Sequence, residues 1–382
     1  MSEARNSSGN DAETILEADR LEGFRHPRET LDLVGHEAAE RVLLEAFGNN
    51  RLHHAWLLTG PEGIGKATLA YRFARFVLSA QTGEGVSADN LAISDQSPVF
   101  RQISALSHPN LLVLRRRWQP KRDRLAQDIT VGDVRSLRSF LGNTAGNDGW
   151  RVIIVDRADD LNANAANALL KALEEPPPRC VFLLISRAPG RLAITIRSRC
   201  RSLALAPLGD EELLQAVTSA LDAAGERAPD ADALKVCAGL AQGSVGDALA
   251  LISRDGLALY GELCAILAHL PELDYRAVHA FADKITARGA EARFELAMGL
   301  LGGIFTRLIR HAATGSGALG TEAALCQTLI RAPSLARWAG LWETIQRVKL
   351  ETAALNLDRK NFVLTTFFCI EEAARLEAVR AA

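Results

Sequence analysis

The stretch GPEGIGKATLAYRFAR, residues 60–75, fits the phosphate-binding pattern GxxxxGK[ST] at Gly60, Gly65 and Lys66. It departs at one letter, because Ala67 stands where the pattern needs a hydroxyl. In a working loop, successive backbone N–H groups wrap the phosphates, the lysine neutralises the terminal ones and the hydroxyl ligates Mg²⁺. Ala67 has no oxygen for the metal. Thr68 lies one residue on, turned by about 100° around a helix of roughly 3.6 residues per turn, so its hydroxyl is aimed elsewhere. The candidate nucleotide loop is therefore Gly60, Glu62, Gly63, Gly65, Lys66, Ala67 and Thr68. These residues leave open whether ATP or ADP is kept as a structural ligand.

Reading outward, AWLLTG before the loop is a short apolar strand, and the residues after Lys66 have helical spacing. Upstream, HEAAERVLLEAF from His36 puts Ala39, Val42, Leu43 and Phe47 on one helical face. Downstream, GWRVIIVDRADDL gives a β-branched strand ending at Asp156, and NANAANALLKALEE gives a helix that stops before Pro176, Pro177 and Pro178. CVFLLIS is a further fully apolar strand. Strands apolar on both faces and alternating with helices predict an α/β fold, a parallel sheet covered on both sides.

After Pro207 the pattern turns helical. Asp210 is placed to cap a helix whose Leu213, Leu214, Val217 and Leu221 share a face and which Gly225 ends. Phe294, Met298, Leu301, Phe305 and Leu308 recur at helical spacing, and NFVLTTFFCIEEAARL continues in the same style. A polar stretch over 79–97 reads as a surface insertion, and RRRWQPKRDR, residues 115–124, as a charged hairpin tip. Its Arg115, Arg116, Arg117, Lys121, Arg122 and Arg124 are either a solvated exposed hairpin or, with Trp118, a surface for DNA phosphates and bases.

The 382 residues, 48% hydrophobic and 24% charged, suffice for about two or three domains. A formal net charge of -2 supplies no global attraction to nucleic acid or anionic lipid. The N-terminal residues 1–24 read as a mobile polar tail rather than a secretory signal or anchor, and no apolar run is long enough for a bilayer. Six scattered cysteines form no CxxC pair, which favours reduced thiols over a structural zinc.

Two further segments carry chemistry. After the strand VIIVD, where P-loop ATPases hold an acidic residue for the metal and often a glutamate that activates water, the pair is Asp156 and Arg157. A cation there neither accepts a proton nor orients an attacking water. The segment ITIRSRCRS alternates, so an extended strand carrying Arg197, Arg199 and Arg201 on one edge is expected, a surface that suits anions.

HHAWLLTGPEGIGKATLA, SHPNLLVL, VIIVDRADDLNANAANALLKALEEPP and above all the RSRC segment resemble the AAA+ subunits of the bacterial sliding-clamp loader of DNA polymerase III. The resemblance covers about residues 25–255, with a fainter match in LNLDRKNFVL, and is nearest to the member whose ATPase motifs have degenerated. It implies a RecA-like AAA+ domain over 25–207, a helical lid over 208–254 and a helical collar for oligomerisation over 255–382. It implies that Arg199 is an arginine finger reaching into a neighbouring subunit's nucleotide site, where such fingers are worth about 10³ to 10⁵ in rate. Asp156 is then the remnant metal position. In GSVGDALAL, Gly246 stands where active members place a nucleotide-facing arginine, a third missing catalytic part. The four-cysteine zinc cluster of many relatives has no counterpart, since residues 79–107 contain no cysteine.

The implied role is that of a rigid, non-hydrolysing clamp-loader subunit in the cytoplasm. Its partners would be the gamma/tau ATPase subunits and the delta subunit, with the sliding clamp and primer-template DNA reached through the complex and no membrane involved. The rival is an active AAA+ motor, a loader subunit or a helicase-type enzyme, which would require Ala67, Arg157 and Gly246 to be tolerable in catalysis. No polymerase metal-carboxylate constellation is present in the sequence.

Overall fold

A computed structural model describes residues 17, 20–83, 87, 89–120, 124–142, 149–330 and 334–381. Most of the tail expected over 1–24, part of the insertion expected over 79–97, and Lys121 and Arg122 lie outside the described residues. The chain divides into two compact units, one running through Glu226 and including Ser244–Gly246, the other made of Arg227–Gly243 and Asp247–Ala382.

The first unit is built on β1 (Ala55–Thr59), β2 (Leu111–Leu114), the hairpin strands β3 (Trp118–Gln119) and β4 (Arg124–Leu125), β5 (Arg151–Val155), β6 (Cys180–Ser186) and β7 (Arg201–Ala204). Five of these form one sheet in the order β2-β5-β6-β1-β7, every pair parallel. Alternation along β1 shows why its sequence is apolar throughout. Trp56 and Leu58 enter one core, with α1 (Glu37–Gly48), α2 (Lys66–Ala80) and α3 (Pro98–Ser104), while Ala55 and Leu57 enter the other. That second core is covered by α4 (Val131–Gly142), α5 (Ala163–Glu174) and α6 (Ile194–Arg197).

Local chemistry sets the helix ends. The Asn162 side chain accepts from the Ala165 amide at 2.9 Å and starts α5, and the proline run follows its end. α2 extends through Ala80 with Ser79 fully buried, so the surface insertion begins later than the polar composition suggests. α7 (Asp210–Ala224) buries Leu213, Val217 and Leu221 and ends at Gly225 with φ 71°. Its cap is Gly209 rather than Asp210, and the Glu212 carboxylate accepts from the Gly209 amide at 3.0 Å.

The second unit is helical, containing α8 (Ala231–Ala241), most of α9 (Val245–Ser253), α10 (Gly256–Leu267), α11 (Tyr275–Thr286), α12 (Glu291–Thr314), α13 (Gly320–Leu329), α14 (Leu335–Ala354) and α15 (Arg359–Ala381). The face read from the sequence is the buried face of α12, with Phe294, Met298, Leu301, Phe305 and Leu308 all inside. Trp338 stacks on Phe305 with ring centroids 5.6 Å apart. Arg307 forks onto Glu322, which also accepts from the Tyr260 hydroxyl at 2.9 Å, within this core. Among the described residues no helix is long and apolar enough to cross a membrane.

Candidate functional site: the loop between β1 and α2

The loop from Gly60 to Gly65 leaves the carboxyl end of β1 and enters α2, the strand-loop-helix order expected of a phosphate loop. Gly60, Gly63 and Gly65 all have positive φ, at 139°, 74° and 106°. Space as well as conformation demands glycine here, since a Cβ on Gly60 would run into the carbonyl oxygen of Leu205.

The interior of the loop is taken up by the chain itself. Lys66 is buried, and its Nζ donates to the carbonyl oxygens of Gly60, at 2.8 Å, and Pro61. Burial pushes the Lys66 ammonium down to about 8 despite the opposing pull of Glu62, Asp156 and Asp159. From above, the Gly246 amide donates to the Gly63 carbonyl at 3.0 Å. A Cβ on Gly246 would sit 2.9 Å from Gly63 Cα, so the backbone at the position of the expected lid arginine lies directly on the loop. From below, His36 Nε2 contacts the Ile64 carbonyl at 2.6 Å.

Charge is organised around Glu62. Arg157, whose backbone is left-handed at φ 61° and ψ 71°, pairs with one carboxylate oxygen of Glu62. Arg187, just beyond β6, donates to the other at 2.7 Å, and that hydrogen bond raises the Arg187 guanidinium above its usual range. Asp159 fixes the floor of this arrangement, accepting from the Ser186 hydroxyl and from the Arg187 amide, each at 2.7 Å. Asp156, at the end of β5, is buried beside them.

The expected loop residues thus converge, and Asp156 and Arg157 join them. Ala67 and Thr68 occupy the first turn of α2 and are half-buried. Arg187 and Asp159 were not singled out from sequence. The available signal was charge matching, because Arg157 and Arg187 both follow strands that must end beside the β1 loop and Glu62 is the acid within that loop. In this arrangement the loop does not fit a magnesium nucleotide. The lysine is turned onto loop carbonyls, Gly246 covers Gly63, and position 67 offers no metal ligand.

The arginine edge expected over 197–201 is not what forms. Ile194–Arg197 is a short helix, Ser198 and Arg199 make a turn, and β7 begins only at Arg201. In a strand Ile194 and Ile196 would share a face, but Ile194 is 71% exposed and Ile196 fully buried. The three arginines therefore diverge. Arg197 reaches toward the Pro189 carbonyl, Arg199 pairs with Glu174 at 2.7 Å and donates to the Thr195 carbonyl at 2.9 Å, and Arg201 lies 4.9 Å over the Trp56 ring.

The hairpin β3–β4 forms as expected, but its leading cations are engaged internally. Arg115 pairs with Glu17 at 2.6 Å, Arg116 with Asp160 at 3.0 Å and Arg117 with Asp133 at 2.5 Å. A run that reads as a basic patch is, at these three positions, a set of braces to the domain. Among the described residues no group of three or more His, Cys, Asp or Glu side chains is placed to hold a metal ion.

Comparison with known proteins places this architecture. Residues 35–209 match the family described as DNA polymerase III, delta subunit. The chain is 37% identical over 162 residues to DNA polymerase III subunit delta' of Pseudomonas aeruginosa, covering 42% of this chain and 46% of that protein. It is 33% identical over 227 residues to the Escherichia coli subunit delta', covering 59% and 63%. Over its first unit the chain is therefore similar to subunits of bacterial DNA polymerase III. The E. coli subunit tau also aligns, at 29% identity over 282 residues, covering 69% of this chain and 41% of that one. The chain spans less than two thirds of the length of each of these three relatives.

Proposed function

We propose that this chain is the delta'-type, non-hydrolysing subunit of a cytoplasmic clamp loader, working beside gamma/tau ATPase subunits and a delta subunit. Through that complex it takes part in ATP-dependent placement of the sliding clamp on primer-template DNA. The observation that carries this reading is the Glu62–Arg157 ion pair at the loop, which fixes a cation at the position of the hydrolytic base. Ala67 removes the metal ligand and Gly246 the lid cation, so three independent requirements for phosphoryl transfer are unmet.

In this proposal Arg199 acts on another chain's nucleotide, and its pairing with Glu174 is the resting position from which it is released. The helical segments 208–254 and 255–382 serve as lid and collar, and the subunit carries no structural zinc. Metal analysis finding one tightly held zinc per chain would contradict the last point.

The purified chain should show ATP hydrolysis no faster than background. Steady turnover that Lys66→Ala abolishes would overturn the proposal in favour of an active AAA+ motor.

A further inference from the structure

Arg157 and Arg187 come from the ends of two parallel strands, β5 and β6, and converge on one small group, the carboxylate of Glu62, with one guanidinium on each oxygen. Two guanidiniums holding the two oxygens of a single anion is the geometry by which proteins bind a phosphate, and arginine is suited to it because its planar fork presents fixed donors. The anion here belongs to the chain.

The arrangement is built rather than incidental. Arg157 adopts a left-handed backbone conformation that costs a non-glycine residue energy, and this brings it to Glu62. The Arg187 amide is anchored on Asp159, which is itself held by Ser186. The cluster also faces solvent, since the side chains of Glu62 and Arg187 are 45% and 43% exposed. It is therefore reachable while Gly246 covers Gly63.

We infer that Arg157 and Arg187 form an oxyanion site for a pyrophosphate group, kept shut by the Glu62 carboxylate acting as a built-in phosphate surrogate. Removing that carboxylate unmasks two cations and raises the local charge by one unit while leaving the loop glycines in place; it also withdraws the pull of Glu62 on the Lys66 ammonium, and the two double variants keep that change constant. The inference concerns this chain's own anion binding and holds whether or not the chain works as a delta'-type subunit.

The test is calorimetric titration of the full chain with inorganic pyrophosphate, ADP and adenosine, using wild type, Glu62→Ala, Glu62→Ala/Arg187→Gln and Glu62→Ala/Arg157→Gln. Thermal melts check that each variant is folded. Glu62→Ala should bind pyrophosphate and ADP about three- to tenfold more tightly than wild type, the scale of two lost exposed ion pairs, and the gain should disappear in both double variants. Adenosine should show no gain. Glu62→Gln, which keeps the side-chain length, should behave like Glu62→Ala. A folded Glu62→Ala chain that binds pyrophosphate no better than wild type overturns the inference. So does a gain that survives loss of either arginine, or an equal gain for adenosine.

Discussion

The Gly246 amide donates to the Gly63 carbonyl at 3.0 Å, so the segment expected from the sequence to hold a lid arginine is bonded, backbone to backbone, to the loop between β1 and α2. The contact is possible only because both residues lack a Cβ. Gly63 has φ 74°, and a Cβ there would collide with the Ser244 side chain.

Reinstating the arginine should therefore be disruptive. In Gly246→Arg the new Cβ meets Gly63 Cα at 2.9 Å, and a backbone atom cannot rotate aside. The expected cost is about 1–3 kcal/mol, typical of forced overpacking, measured by urea denaturation. An unchanged midpoint would show that the 244–246 segment detaches freely from the loop.

Arg199 offers a test in which stability and the proposed function part ways. Its side chain is 35% exposed and its Glu174 partner 47% exposed, so Arg199→Ala should cost less than about 1 kcal/mol in the isolated chain. Under the proposed function, the same change in a reconstituted loader should lower DNA- and clamp-stimulated hydrolysis at the site it serves by about 10³-fold or more. Arg199→Lys should rescue poorly, because an ammonium lacks the fork that spans two oxygens. Unchanged turnover in an intact complex would make Arg199 a structural partner of Glu174 only.

Lys66 gives a pH signature. Its ammonium titrates at about 8 in the fold against 10.5 when unfolded, so between those values the unfolded chain binds the extra proton and stability rises with pH. The contribution is complete above 10.5 and is lost as pH falls through about 8. Lys66→Met should remove this rise, on the order of 2 kcal/mol, from the difference between wild-type and variant unfolding curves. Parallel curves across that window would place the Lys66 charge in a better solvated setting than its burial indicates.

The helical unit holds a buried ion pair, with Arg307 and Glu322 side chains 3% and 0% exposed. Glu322→Ala strands the guanidinium and the Tyr260 hydroxyl, and should cost about 3–5 kcal/mol by chemical denaturation. Arg307→Met combined with Glu322→Ala should recover part of that loss, since no unpaired charge then remains buried. A double variant no more stable than Glu322→Ala would show that packing rather than charge sets the cost.

The sequence by itself determined the parallel sheet, the order strand, loop, helix at Gly60–Lys66, and the buried face of α12. Strand alternation and helical period are local properties that each segment carries in its own residues. It also determined where the chain departs from the phosphate-loop pattern, because a missing hydroxyl at Ala67 or a cation at Arg157 is a fact about side-chain chemistry at one position. Only the tertiary structure decided where the charges go. Glu62 meets Arg157 and Arg187 across 95 and 125 residues of chain, and Arg115 meets Glu17 across 98. The turn at Arg199 was decided there too. Apolar alternation in a short segment cannot say which of Ile194 and Ile196 will find a core to enter; in the fold Ile196 joins the core under the sheet while Ile194 stays 71% exposed.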